Sequence, residues 1–255
     1  MRIAVLADVH GNLPALRAVL ADVDREGVET VVVAGDVAGG PLVRDSLELL
    51  TARPEPVLWV RGNAEREAVA AFDGDAVGDD EAGRAAAWSA GQLDRRWRDQ
   101  IAGWPIALDL DGIVFCHGTP RSDDEILTRA TPDGAMLEAL ADAGDRLAVG
   151  GHIHQQQLRR IDGRLAYANP GSVGLPYEGR PGAYWMILDG RVPELRASSY
   201  DVTGAVAELR ASGFADLDEH LRESLLEPVD PDYVAAFFEH LAGRGPAPGD
   251  PPGSS

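Results

Sequence analysis

The sequence predicts an α/β fold that opens with parallel strands, on three observations. From Arg2 to Asn63, short apolar runs alternate with amphipathic stretches in a βαβαβ order. Each of those apolar runs ends in a polar loop that contains glycine. After residue 105, aspartate–glycine pairs between apolar runs mark hairpins, so antiparallel strands must join the parallel ones.

Residues 2–7 read as the first strand and run into Asp8-Val9-His10-Gly11-Asn12. A helix is expected next. Asn12 suits its cap, Pro14 suits its first turn, and Leu13, Leu16, Leu20 and Val23 share one face. Residues 30–34 form the second strand and end at Gly35-Asp36. Residues 41–50 are expected to be helical, with Pro41 in the first turn, and residues 56–60 form a third strand ending at Arg61-Gly62-Asn63. The acidic, glycine-bearing stretch 73–84 is expected to be a loop before a single helix over 85–100. Residues 106–110 and 113–116 flank Asp111-Gly112 as a hairpin. Residues 146–149 form a strand ending at Gly150-Gly151-His152-Ile153-His154. Two further hairpins turn at Asp162-Gly163 and Asp189-Gly190.

Beyond Tyr200 the pattern is helical again. Asp201 caps one helix, and Asp230-Pro231 starts another that carries Tyr233, Val234, Phe237, Phe238 and Leu241, with Gly243 as its stop. The expected organisation is a main domain over 1–200, a helical extension over 201–244 packed on it, and a disordered Pro/Gly/Ser tail over 245–255. A homodimer contact through the C-terminal helices is the alternative use of that apolar face.

Composition narrows the function classes. No apolar run approaches the roughly 20 residues that cross a bilayer, and the run 3–7 is too short for a signal-peptide core. Cys116 is the only cysteine, which rules out an intrachain disulfide and fits a reducing compartment, so a cytoplasmic protein is expected. A net charge of −19 argues against a bulk nucleic-acid surface or an anionic membrane surface. It leaves room for a small anionic substrate, because bound cations dominate the field of a pocket. The basic residues are all arginine, a mark of codon bias, so no lysine is available as a phosphate clamp or Schiff-base nucleophile.

The chemistry-bearing residues fall at the ends of the expected strands, the edge where open α/β sheets bind ligands. Asp8 and His10 follow the first strand, Asp36 the second, Asn63 the third, His117 the hairpin strand, and His152 and His154 the strand after it. Taken singly, Asp8 reads as a cap, Asp36 as a turn carboxylate, Asn63 as a left-handed loop residue, and His10 and His117 as loop histidines. Their joint placement at strand ends, with four of the chain's six histidines among them, points instead to divalent metal. A pair of ions sharing one carboxylate suits hydrolysis at phosphorus. His220 and His240, in helices without companions, read as solvent-facing.

Asp8-x-His10, Gly35-Asp36, Gly62-Asn63, His117-Gly118 and Gly151-His152-x-His154 resemble, in order, the motif blocks of the calcineurin-like metallophosphoesterases. Asp8-Val9-His10-Gly11-Asn12, Cys116 to Arg121 and Asn169 to Gly174 resemble the branch of small bacterial and archaeal phosphodiesterases. The resemblance covers residues 1–200 and implies a four-layer αββα sandwich, two packed mixed sheets flanked by helices. It implies two divalent ions, with Mn placed first and Fe, Zn, Ni or Co as alternatives. One would be held by Asp8, His10, Asp36 and His154, the other by Asp36, Asn63, His117 and His152. The catalytic work of Asp36, Asn63 and His117 would pass through a metal-bridging hydroxide.

Many members carry a histidine after the Gly-Asn pair, assigned to leaving-group protonation or transition-state stabilisation. Here Ala64 stands in its place, followed by Glu65, either a support for the metal ligands or a solvated carboxylate. Asn12, Arg66 and Arg121 are the expected substrate contacts, since Arg suits bidentate phosphate recognition. The expected activity is hydrolysis of a small phosphodiester or phosphomonoester. The alternatives are a catalytically weak metal- or phosphate-binding regulatory protein, which Ala64 favours, and a protein phosphatase or nuclease.

Overall fold

A computed structural model describes residues 1–249 of the chain. Strand β1 (Arg2–Leu6) leads into helix α1 (Leu13–Glu26), β2 (Thr30–Ala34), α2 (Val43–Thr51), β3 (Val57–Val60) and α3 (Asn63–Asp73). Two helices follow, α4 (Glu81–Gln92) and α5 (Arg95–Ala102). After them come β4 (Ala107–Leu110), β5 (Ile113–Cys116), α6 (Asp133–Ala139) and β6 (Leu147–Val149). The hairpins β7 (Gln156–Ile161)–β8 (Arg164–Pro170) and β9 (Ala183–Asp189)–β10 (Val192–Ser198) precede α7 (Val202–Arg210), α8 (Leu217–Leu221), a π turn at Arg222–Leu226 and α9 (Pro231–Leu241).

The strands form two five-stranded mixed sheets, ordered β10-β9-β1-β2-β3 and β4-β5-β6-β8-β7. In the first, β1-β2-β3 are parallel and β9 runs antiparallel to β1; in the second, β5-β6-β8 are parallel. Strand alternation explains how they stack. Ile3, Val5, Val32 and Ala34 point from one sheet toward Ile113, Phe115, Leu147 and Val149 of the other, which makes the central core. The opposite faces of β1 and β2, through Ala4, Leu6, Val31 and Val33, pack on α1, α2, α3 and α5. Helix α6 covers the outer face of the second sheet through Met136 and Ala139 against Val114 and Ala148. The result is the expected αββα sandwich, and burial on both faces is why β1 and β2 read as unbroken apolar runs.

Several boundaries differ from expectation for identifiable reasons. Pro41 precedes α2 instead of opening it, because Leu42 N donates to Gly11 O (3.1 Å) and the Pro41 carbonyl accepts from Trp88 and Gln92. The single helix expected over 85–100 is two. Asp94 takes the cap of α5 by accepting from Trp97 N (3.0 Å), while Asp80 caps α4 upstream of the expected start. Helix α6 was not foreseen. Asp201 and Asp230 do cap α7 and α9.

The extension joins the main body through a shared apolar cluster. Leu209, Phe214, Leu217, Leu221 and Leu225 meet Ala85 of α4 and Leu175. Glu239 of α9 accepts from the hydroxyls of Thr128 (2.7 Å) and Thr131 (2.6 Å) and pairs with Arg244. On α9, Val234 and Ala235 are buried whereas Phe237 and Leu241 are exposed. No helix among the described residues is long and apolar enough to cross a membrane. Residues 245–249 have no regular structure, and the rest of the expected disordered tail, 250–255, lies outside the described residues.

Candidate metal centre

The loops that follow β1, β2, β3, β5 and β6 meet at one edge of the sandwich. Backbone bonds tie them together: Asp8 N donates to Gly35 O (3.1 Å), His10 N to Asp36 O (3.0 Å) and Gly151 N to His117 O (2.7 Å). The 169–174 loop lies alongside. Gly174 N (2.9 Å) and Ser172 Oγ (2.7 Å) both donate to Asp8 O, and Asn169 Nδ2 donates to Gly151 O (2.6 Å). Asp8 in turn accepts from His152 N at 3.2 Å.

Two three-residue clusters capable of holding a metal result, Asp8–His10–His154 and Asp36–His117–His152. Asp36 joins them, with Oδ2 3.1 Å from His117 Nε2 and 3.8 Å from His10 Nε2, while its Oδ1 accepts from Ala64 N (2.9 Å). Three imidazoles are anchored alike. His117 Nδ1 donates to Ala34 O (2.7 Å), His154 Nδ1 to Leu175 O (2.7 Å) and His10 Nδ1 to Gly39 O (3.3 Å). A carbonyl accepts only, so each Nδ1 carries a proton and Nε2 is the nitrogen turned inward, free to ligate in the neutral ring.

Those inward nitrogens test whether the residues fit a metal. His10 Nε2 and His154 Nε2 stand 3.2 Å apart, with Asp8 Oδ1 3.3 Å from the latter. Two nitrogens at about 2.0–2.1 Å from one tetrahedral cation are separated by about 3.3 Å. Asn63 Oδ1 and His117 Nε2 are also buried without a hydrogen-bond partner. A divalent cation pair would satisfy all four atoms, so the residues fit one.

The electrostatics agree. Burial and the neighbouring His154 push His10 down to about 4, so its ring is neutral at pH 7. Burial would raise the Asp36 pKa, but His117 and His10 hold its carboxyl well below the ordinary range. Burial would lower the His117 pKa, but Asp36 and Asp8 draw it up to about 10, so a proton and a divalent cation would compete for its Nε2.

The backbone bears the cost of this convergence. Asp8, His10, Asp36, His152 and His154 all have φ between 45° and 70°, the left-handed region. Among the described non-glycine residues only Asp111 and Asp162, in hairpin turns, share it. Close approach adds a second constraint, since a Cβ at Gly62 would lie 2.0 Å from Asp36 Oδ1.

Glu65 settles between its two expected roles. It is fully buried, and its Oε2 accepts from Asp36 N and Gly62 N (both 2.8 Å), its Oε1 from Val37 N (2.7 Å) and Ala38 N (2.9 Å). Burial and the Asp36 charge push its pKa up to about 7. Four converging N–H groups leave no acceptor for a carboxyl proton, so the group is held as the carboxylate. It fixes the loop that carries Asp36 and the start of α3 that carries Asn63.

The three expected substrate contacts are engaged elsewhere. Asn12 is buried, accepts from Ala15 N (3.2 Å) as the α1 cap and donates to Gly174 O (2.9 Å). Arg66 pairs with Asp123 (3.1 Å) and Asp124 (3.4 Å), and Arg121 is bidentate to Glu125 (2.9 and 2.6 Å). In so acidic a chain, each of these arginines finds a carboxylate nearby.

His220 was expected to face solvent and does not. It is buried beside the centre, its ring 6.2 Å from that of His10. Its flanks are ambiguous, with Leu221 apolar but Asp218, Glu219, Arg222 and Glu223 charged, so nothing local marks the ring as buried. His240, by contrast, is exposed and bonds to Gly245 O (3.2 Å).

Comparison with known proteins yields the same assignment. The chain is similar, at 26% identity over 232 residues, to an uncharacterised protein of Methanocaldococcus jannaschii, covering 81% of this chain and 91% of that one. A metallophosphoesterase from Sphaerobacter thermophilus superposes with a TM-score of 0.68 at 25% identity, covering 88% of this chain and 99% of that one. A hypothetical protein of Pyrococcus horikoshii shares the fold with a TM-score of 0.74 at 19% identity, over 86% and 97% of the two chains. The family model for the calcineurin-like phosphoesterase superfamily domain matches residues 1–190, and with those motifs, this sandwich and two ligand clusters the chain belongs to that superfamily.

Proposed function

We propose that the protein is a dinuclear metal-dependent phosphoesterase acting on a small phosphodiester or phosphomonoester in the cytoplasm. The observation that carries this reading is the convergence of two ligand clusters, in which His10 Nε2 and His154 Nε2 stand 3.2 Å apart beside Asp8 and Asp36. Asp8, His10, Asp36 and His154 would hold one ion, and Asp36, Asn63, His117 and His152 the other. When bound, such a pair activates water for attack on phosphorus and neutralises phosphoryl charge. Mn is the first choice among metals that suit imidazole, carboxylate and amide oxygen.

A cavity of about 340 Å³ adjoins the centre, lined by His10, Asn63, Ala64, Leu175 and His220 among others. That volume suits a small organic ester better than a polypeptide or nucleic-acid strand. The test is hydrolysis of bis-p-nitrophenyl phosphate and p-nitrophenyl phosphate by protein loaded with Mn, Ni, Co or Zn. Turnover no faster than that of an Asp36→Asn control with every metal removes the reading.

The second reading, a binding protein with little turnover, is favoured by Ala64, which cannot exchange a proton. A phosphate ester that binds and stays intact for hours in the metal-loaded protein supports it; rapid hydrolysis excludes it.

A further inference from the structure

Helix α9 carries more aromatic surface than its packing uses. Val234 and Ala235 turn inward, but Tyr233 and Phe238 stay half-buried and Phe237 is exposed. With Tyr177 and Glu223, these rings line a hollow of about 100 Å³ between α9, the π turn and the loop that follows β8.

The walls of the hollow are fixed from two sides. Gln155, itself buried, donates from Nε2 to Tyr177 O (3.1 Å) and to Pro231 O (2.8 Å), which ties the Tyr177 loop to the first turn of α9. Val229 N donates to Glu223 O (3.1 Å) and holds the π turn against the chain that enters the helix. His154 stacks on one face of Tyr177, with centroids 5.1 Å apart and planes 14° from parallel. Phe238 stands 6.2 Å from Tyr177 at 52°, and Phe237 stands 6.3 Å from Phe238 at 65°. Three rings at such mutual tilts form the walls of a recess and not one flat stack.

The charge at the hollow has one sign. Burial, and after it the carboxylate of Glu223, push the Tyr177 hydroxyl above its ordinary range, so that carboxylate lies close to the ring. Neither arginine nor histidine is among the lining residues, and the Glu223 charge is not cancelled there. The faces of aromatic rings are themselves negative, so rings grouped with a carboxylate attract a cation. A hydrated metal ion would need six or so oxygen ligands, which one carboxylate and two phenols do not supply. An ammonium group dressed in methyls brings charge and apolar surface together, and both find a match.

We infer that this hollow binds a small soluble alkylammonium compound, its methylated nitrogen held among Tyr177, Tyr233, Phe237 and Phe238 with Glu223 as counter-charge. A space of about 100 Å³ matches a head group of a few heavy atoms, and a net charge of −19 sets the chain against an anionic membrane as the source. The site goes beyond the phosphoesterase reading and stands or falls without it.

The test is calorimetric titration of the whole chain, with Zn in excess, by choline chloride and by the carbon isostere of choline, in which tert-butyl replaces trimethylammonium. Excess Zn keeps the carboxylates of the ligand clusters from attracting choline. Choline should bind saturably, and the uncharged isostere at least about tenfold more weakly. Glu223→Gln and Tyr233→Leu should each weaken choline binding about 2- to 30-fold, the span of a single cation–π or charge contact, with Tm unchanged. Glu223 is exposed, so its replacement threatens folding little and keeps the test decisive if Tyr233→Leu does not fold.

No saturable binding of choline, equal binding of the isostere, or undiminished binding by a folded variant overturns the inference. Cosedimentation with vesicles of choline-headgroup lipid, without any binding of free choline, overturns the assignment to a soluble ligand.

Discussion

Replacing Glu65 by Gln changes one atom at the most heavily bonded side chain of the site. Whichever way the amide turns, its NH2 faces two of the four N–H donors that now point at a carboxylate oxygen. Two buried N–H groups lose their acceptor, at about 1–3 kcal/mol each, and relief of repulsion with Asp36 offsets part of this. The expected net cost is about 3 kcal/mol, which for a chain of this size lowers Tm by about 6–12 °C. Urea unfolding with EDTA present isolates the effect, because bound metal would otherwise stabilise the folded state by mass action. The midpoint should fall with m unchanged. Metal affinity should fall as well, since the loop bearing Asp36 loses its anchor. A cost under about 1 kcal/mol with m unchanged would refute the view that this carboxylate holds the loop in place.

Gly62→Ala puts a methyl 2.0 Å from Asp36 Oδ1, so the carboxylate must move, and elemental analysis should find reduced metal content even where circular dichroism is native. Glu239 shows a pH dependence of known sign. Burial would raise its pKa, but bonds from Arg244, Thr131 and Thr128 hold it down to about 2 against an ordinary 4.5. Its contribution is therefore complete above about pH 4.5 and is lost as pH falls toward 2. Glu239→Gln should cost about 1–2 kcal/mol at pH 7, with the Tm gap from wild type closing in acid; a gap independent of pH contradicts this. Light scattering decides the use of α9: a monomer mass, unchanged by Phe237→Ser with Leu241→Ser, means its apolar residues serve packing, whereas a dimer that these changes dissociate means an interface.

The convergence of the strand-end residues was legible because period-two and period-3.6 patterns place each motif at one sheet edge before any contact is known. β2, β5 and the turns at Asp111-Gly112 and Asp162-Gly163 lie where apolar runs and turn residues put them. What escaped depends on encounters between distant segments. Pro41 reads as a helix start locally, yet the carbonyl of Gly11 engages Leu42 first. Arg66 and Arg121, expected to meet phosphate, pair with Asp123 and Glu125, which local patterns do not reveal. His220 carries no local mark of burial, for its place is set by Arg84 and Glu81, more than a hundred positions earlier.

The left-handed backbone at five candidate ligand positions bears on how the molecule endures heat. Conformations of that kind cost on the order of 1 kcal/mol per residue even for Asp and His, or about 5 kcal/mol together, comparable with the whole net stability of a small domain. Cation chelation would make such torsions worth keeping. A laboratory lineage selected only for survival at high temperature, in chelator, should therefore collect glycine or asparagine at Asp8, His10 and His154. Its members would become sturdier as they lost the side chains that could hold a cation.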